Sequence, residues 1–352
     1  MDSQVSNNKN KQQIIFAVLF FAIFIAGIFY VKWYPYYGKA ITAASTHSVG
    51  DSIIAGVGAK SAGVSLQNGF TFTITYFLSV WKALAVAIIV GSLVQVLIPV
   101  RWVRRYLGGT KLRNTLIGTL MGVPTMMCTC CSAPVTVGLS KSKASVNSIM
   151  AFFLANPLLN PATLIFMGLV LGWKYTIFRI VFGILMVISI ATLVGKLSTK
   201  KQVEVNEGSE FDPVNENSEA LWKRWWKAFY TLIIDSIPAY VVIVFLLGTF
   251  EGVLFPAIQG GLSGGWLAVL LFALVGTIFV VPTAGEIPII QALMALGLTA
   301  GPTAALLMTL PAVSIVSLAL LKPVLSWKSL GITAASVFAF GLVAGLVGVF
   351  VL

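Results

Sequence analysis

The sequence has little charge. Only 10% of its 352 residues are Asp, Glu, Lys or Arg, against about 25% in an ordinary soluble domain. Hydrophobic residues make up 58%, and the mean hydropathy is +0.95. A soluble surface needs charge, so a soluble globular protein is excluded, and so are a disordered chain and a disulfide scaffold. One histidine, His47, leaves nothing for His-rich zinc or di-iron sites. There is no Walker A sequence, no Gly-rich dinucleotide signature, no zincin motif and no Ser/His/Asp set. The sequence therefore predicts a chain that is not an enzyme and carries no cofactor. Acid is scarcer than base: 11 Asp and Glu stand against 23 Lys and Arg, a net charge of +12. In a soluble protein that excess suggests nucleic acid. Here the basic residues lie between apolar runs, which points to membrane orientation and to the lipid bilayer as partner.

The first apolar run is Ile14–Val31, preceded by Lys9 and Lys11. Its length, about 18 residues, suffices to span and exceeds the about 7–15 of a signal h-region. An uncleaved helix is favoured over a signal peptide cut near Ala40, Ala43 or Ala44. Trp33-Tyr34-Pro35-Tyr36-Tyr37 then reads as an interfacial aromatic anchor, with residues 38–70 outside. Further runs are Phe72–Val100, Leu116–Leu139, Ile149–Leu171, Tyr175–Val194, Phe229–Pro256, Trp266–Leu296, Thr303–Leu321 and Leu330–Leu352.

Arg101, Arg104, Arg105, Lys111 and Arg113 mark one cytoplasmic loop under the positive-inside rule. Residues 196–227 mark another. Lysines and Arg224 edge it, and its middle, Glu204 to Glu219, holds most of the acids and no apolar periodicity, so it reads as a flexible linker. Leu221–Lys227 reads as an interfacial helix start. Two cytoplasmic loops need an even number of crossings between them, yet three runs intervene. Leu116–Leu139, with Gly118, Gly122, Pro124, Pro134 and Gly138, is the run expected to enter and return, since Pro costs about 3 kcal/mol and Gly about 1 in a helix interior. Irregular backbone at membrane depth survives only inside protein or along a cavity.

The halves repeat. Gly91, Val96-Leu97 and Pro99 match Gly248, Val253-Leu254 and Pro256 at an offset of 157 residues. Ala133-Pro134 matches Ile287-Pro288, and Pro157 matches Pro311, at an offset of 154. The first repeat starts outside and the second inside, an inverted plan that places solute at broken helices near the midplane. The expected fold is an all-α integral membrane protein of about seven to nine transmembrane helices in two inverted repeats, each with a broken or re-entrant hairpin. The expected divisions are residues 1–71, an N-terminal helix and external loop; 72–195, the first permease repeat; 196–227, the linker; and 228–352, the second repeat.

The first break is Gly122-Val-Pro-Thr-Met-Met-Cys128-Thr-Cys130-Cys131-Ser-Ala-Pro134. Thiols and thioethers select soft species such as Cu(I), Zn(II) or trivalent arsenic. Adjacent Cys130 and Cys131 diverge in regular structure, whereas Cys128 and Cys130 converge if the backbone is non-helical, which makes them the metal-ligand pair. Cysteine is also a small apolar residue suited to close packing. The second break is Val281-Pro-Thr-Ala-Gly-Glu286-Ile-Pro288. An ionisable group so deep is costly and marks function, although a protonated carboxyl can also satisfy freed backbone groups. Asp235 and Lys82 lie within runs, as an ion pair or part of a proton path. Glu251 lies nearer a helix end. Lys174 and Arg179 sit early in their run and can snorkel. Asn156 and Asn160, four apart, face the same way, along a solute path or in interhelical hydrogen bonds.

Cys128-Thr-Cys-Cys-Ser-Ala-Pro-Val-Thr-Val-Gly-Leu139, with Ala155-Asn-Pro157 and Pro282-Thr-Ala-Gly-Glu-Ile-Pro288, resembles the bacterial predicted permeases of the YraQ/ArsP type over roughly residues 72–352. Cys131 is an extra thiol relative to that group. The resemblance implies a multi-pass inner-membrane permease, some members of which export trivalent organoarsenicals. It carries over Cys128, Cys130, Pro134, Asn156, Glu286 and Pro288 as site positions. The expected activity is transport of a small, soft solute, by efflux, with Cys128 and Cys130 (and Cys131 beside them) contacting the solute. Glu286, Asp235 and Lys82 would relay protons or charge. The competing readings are a membrane thiol redox or metal-handling protein, and a non-transporting subunit docked through residues 196–227.

Overall fold

Serine or asparagine stands just ahead of several apolar runs, and each starts a helix by accepting a backbone N–H that would otherwise be orphaned. In the computed structural model, Ser65, Ser145, Asn160, Ser314 and Ser326 all do so. The structure describes residues 15, 18–48, 64–98, 100–207, 221–250 and 264–352. The expectations for Ile14, Lys9, Lys11, Pro99, Glu251, Val253, Leu254, Pro256 and the acids from Glu210 to Glu219 lie outside them. No strand occurs among the described residues.

Helix α1 is Val18–Thr46 and α2 is Leu66–Leu97. The short α3 (Val100–Leu107) leads to α4 (Leu112–Gly122) and α5 (Thr129–Lys141). Next come α6 (Val146–Leu158), α7 (Pro161–Val170) and α8 (Trp173–Glu207). The second half holds α9 (Leu221–Thr249), α10 (Trp266–Ile278), α11 (Glu286–Ala295), α12 (Ala300–Ala312), α13 (Ile315–Leu321) and α14 (Trp327–Val351). Among the described residues, seven stretches are long and apolar enough to cross a membrane: α1, α2, α6 with α7, α8, α9, α12 with α13, and α14. The chain is an all-α, multi-pass integral membrane protein. The spans α6–α7 and α12–α13 are 83% buried, against 17% for α1, so these two broken spans form the centre.

The pairs α4–α5 and α10–α11 are hairpins. Their helices have 11, 13, 13 and 10 residues. At 1.5 Å per residue each is about 15–20 Å long, too short for a hydrocarbon core of about 30 Å. The ends of the first hairpin meet. Ser145 N–H donates to Leu107 O at 2.8 Å, Ser145 Oγ donates to Gly109 O at 2.7 Å, and Asn147 Nδ2 donates to Thr110 O at 3.3 Å. In the second hairpin a Cβ on Gly264 would lie 3.0 Å from Thr299, so that pair also returns to its start. The segment Leu116–Leu139 therefore turns back, as the crossing count requires.

Its glycines have another purpose than the expected helix breaking. A Cβ on Gly118 would lie 2.4 Å from Ser148 O, one on Gly122 2.7 Å from Phe152 O, and one on Gly138 2.3 Å from Gly91 O. They let α4 and α5 pack against α6 and α2 backbone to backbone, as small residues do between membrane helices. The turn itself lies at Val123–Cys128, where Met126 adopts φ 51°.

Two other boundaries differ from expectation. Helix α1 does not end at Val31. It runs through the aromatic stretch to Thr46, with a π-helical turn at Phe29–Trp33. Pro35 has no N–H for the carbonyl four residues back, and the helix widens just before it. Trp33–Tyr37 is therefore mid-helix rather than an end anchor. Residues 196–207 continue α8 and 221–227 open α9, so the described parts of the linker are helical. Trp222, Trp225 and Trp226 cluster with Phe229 there, as an interfacial helix start would.

Candidate solute-binding site

Both hairpin tips are built on strained backbone. Met126 (φ 51°) turns the first and Ala284 (φ 65°) the second. Positive φ is uncommon for residues other than Gly, and such strain collects at functional sites. Asn156 holds the first tip: its Oδ1 accepts from the Thr125 hydroxyl and from Met127 N–H at 3.3 Å. Its Nδ2 donates to Phe152 O at 2.9 Å. Asn160 does a different job, because the helix breaks between them. It accepts from Ala162 and Thr163 N–H and starts α7. The expectation that both amides face one way fails at that break.

The thiols sit at the start of α5. Cys128 is its N-cap and Cys131 lies one turn on, with the two Sγ atoms 3.1 Å apart. Cys130 points elsewhere, its sulfur 3.8 Å from the Tyr76 hydroxyl. The converging pair is therefore Cys128 with Cys131, not Cys128 with Cys130. Helical geometry explains the change: positions three apart share a face, and positions two apart do not. The pairing of Cys128 with Cys130 as metal ligands is corrected accordingly. Among the described residues no group of three or more His, Cys, Asp or Glu side chains could hold a metal ion.

Cys128 and Cys131, both buried, lie in the wall of a crevice of about 410 Å³ that also touches Pro282–Gly285 and Pro288 on the second hairpin. Helix α1 forms another wall. Lys32, in the π-helical turn, is only 7% exposed. Its Nζ donates to Thr283 Oγ1 at 2.9 Å and to the Tyr36 hydroxyl at 3.4 Å. It thus bridges the N-terminal helix to the second tip beside the thiols. The sequence left Lys32 at a membrane surface because the apolar run stops at Val31. The only signal against that was a Trp/Tyr-rich continuation compatible with helix.

Glu286 opens α11, where a carboxylate complements the helix dipole, and is 2% exposed. Its Oε1 lies 2.9 Å from Arg179 Nη1. Arg179 does not snorkel. It is fully buried, and it also donates from Nε to Leu158 O at 3.0 Å and from Nη2 to Pro157 O at 2.6 Å. Those are carbonyls at the broken end of α6. One guanidinium therefore ties the second hairpin tip to the first broken span. Among the described residues Lys82 and Asp235 do not form an ion pair with each other: Lys82 lines the crevice, while Asp235 is exposed on α9. Pro134 is buried within α5, its carbonyl against Gly91.

Among the described residues, seven apolar spans and two hairpins, their tips sharing a crevice, define a multi-pass helical membrane protein with an internal solute-sized space. The chain belongs to the ArsP_1 family of predicted permeases, whose sequence model matches residues 65–350. It is similar to the UPF0718 protein YraQ of Escherichia coli strain K12, with 45% identity over 327 residues, 93% of each chain. It is also similar to the UPF0718 protein MJ0584 of Methanocaldococcus jannaschii, 20% identical over 354 residues, covering 81% of this chain and 97% of the relative. No solved structure matches the chain.

Proposed function

We propose that this permease moves a small, soft or thiophilic solute, such as a trivalent organoarsenical or a metal species, out of a bacterial cell across the inner membrane. The observation that carries the reading is the Cys128–Cys131 pair, 3.1 Å apart, on the wall of a crevice shared by both hairpins. Two thiols at that spacing can bridge one soft centre. Cys130, behind them, sets the packing against Tyr76. Asn156 holds the first tip, Pro134 packs α5 against α2 at Gly91, Pro288 lines the crevice, and Glu286 balances charge with Arg179. The sequence carries no Walker A motif, so the drive is the proton gradient or the solute's own gradient.

Two inverted repeats, about 72–195 and 228–352, would rock against each other around the site. Supporting this, Val146, Pro161 and Trp173 begin α6, α7 and α8, and Ala300, Ile315 and Trp327 begin α12, α13 and α14, each 154 residues later. Lys143 and Gly297, at the same offset, both have positive φ. Opposed directions are supported at the ends. Ser198 Oγ lies 2.6 Å from Ser329 Oγ at the end with the basic loops, and Ser65 N–H donates to Thr249 O at the other.

A second reading has a specific observation behind it. Cys128 and Cys131 form a Cys-x-x-Cys pair at a helix N-terminus, the setting of reactive dithiols. A reducible Cys128–Cys131 bond in peptide mapping is its signature. The permease reading is tested by growth and uptake with Cys128→Ser and Glu286→Gln strains against arsenicals and soft metals. Loss of transport of at least one solute in both strains is expected. If both match wild type on every solute, the reading is wrong.

A further inference from the structure

The crevice beside the thiols is basic. Lys32, Lys39 and Lys82 all line it, and no Asp or Glu side chain is among its described lining residues. Glu286 lies outside it and is held by Arg179. A buried ammonium group is costly without a countercharge. Lys32 is buried, and among the described residues its hydrogen bonds go to neutral oxygens, Thr283 Oγ1 and the Tyr36 hydroxyl. Lys82 rests against the Trp81 ring at 5.7 Å, and both it and Lys39 are exposed to the crevice.

We infer that the solute reaching Cys128 and Cys131 is an anion, whose negative group sits between Lys32 and Lys82 while its soft centre faces the thiols. The inference rests on the permease reading and names the charge class of its solute. The crevice volume of about 410 Å³ lies in the usual range for small-molecule sites, so it holds an oxyanion or a small organic acid bearing a thiophilic atom. Lys32 and Lys39 lie on α1, ahead of the residues the family match covers. Charge selection is thus set largely by the N-terminal helix. Lys32 lies buried in the π-helical turn, and such local widening is common at functional sites.

The test is thiol labelling of the full-length protein in lipid nanodiscs. Its probes are the anionic 2-sulfonatoethyl and the cationic 2-(trimethylammonium)ethyl methanethiosulfonates, and the rates at Cys128 and Cys131 are read by mass spectrometry. Each thiolate attacks the reagent's thiosulfonate sulfur, forms a mixed disulfide and releases methanesulfinate. A crevice of one sign concentrates counter-ions by ~10-fold or more, so the anionic reagent is expected to react about ten times faster once intrinsic reactivities are divided out. Lys82→Gln, which gives up no hydrogen bond, should reduce that ratio several-fold, and Lys32→Gln with Lys82→Gln should bring it near one. Lys32→Arg should keep it. Equal rates, a cation preference, a ratio indifferent to the lysines, or no labelling at either thiol would overturn the inference. Anion preference in the labelling, with wild-type transport in Cys128→Ser and Glu286→Gln, would leave the crevice's charge selection standing and remove the permease role of the site.

Discussion

Replacing Glu286 by Gln should destabilise the protein more than replacing Arg179 does. The pair is buried on both sides, at 0% and 3% exposure, with 2.9 Å between Nη1 and Oε1. Nη1 has no aligned hydrogen-bond partner, so charge carries the contact. At an effective dielectric constant near 20, two unit charges at that distance attract by about 6 kcal/mol. Part of this is offset by desolvation, and one-sided removal of a buried partner costs about 3–5 kcal/mol in measured cases. The two removals are unequal. A guanidinium cannot shed its proton. Glu286→Gln thus strands a permanent charge, and the full cost falls there. Arg179→Gln instead leaves two carbonyls, Pro157 O and Leu158 O, short of donors, at about 1–3 kcal/mol. In thermal unfolding of the detergent-purified protein, Glu286→Gln should lower the midpoint by roughly 5–10 °C. The double variant should be less destabilised than the sum of the singles by at least about 1.5 kcal/mol. A Glu286→Gln protein that unfolds within about 0.5 kcal/mol of wild type, or a coupling near zero, would refute the reasoning.

Two further outcomes follow from the packing. Gly138→Ala drives a Cβ to 2.3 Å from Gly91 O, so α2 and α5 must separate. About 1–3 kcal/mol of overpacking is expected, visible as an earlier unfolding midpoint, while alanine at the exposed Gly331, which meets nothing within 4 Å, changes little. Asn156→Ala leaves Met127 N–H without its acceptor and should cost about 1–3 kcal/mol. It should also make the Val123–Cys128 turn exchange amide hydrogens faster, and unchanged exchange there would count against Asn156 as the anchor of that tip.

How much was readable in advance follows from range. The two breaks, the return of Leu116–Leu139 and the buried position of Glu286 were visible because prolines, charge and run length act locally. The thiol pairing was not, because whether Cys128 meets Cys130 or Cys131 depends on where α5 begins, and a boundary shift of a residue or two exchanges the faces. Arg179 was misread for a similar reason. Near the start of an apolar run, snorkelling and burial look alike until the partner 107 positions later is brought beside it. Lys32 was lost because an apolar run ending at Val31 looks like a helix end, although the backbone hydrogen bonds continue to Thr46.

By itself the sequence determined that the chain lies in lipid as a bundle of helices, since 10% charge cannot solvate a surface. It also determined where irregular backbone interrupts the apolar runs, since prolines end helices wherever the fold places them. Only the tertiary structure decided which groups meet there: Cys128 with Cys131, Glu286 with Arg179, and Lys32 with Thr283. Those meetings need two hairpin tips, a broken span and an N-terminal helix to converge. Contacts between residues up to 251 positions apart leave no periodicity along the chain to read.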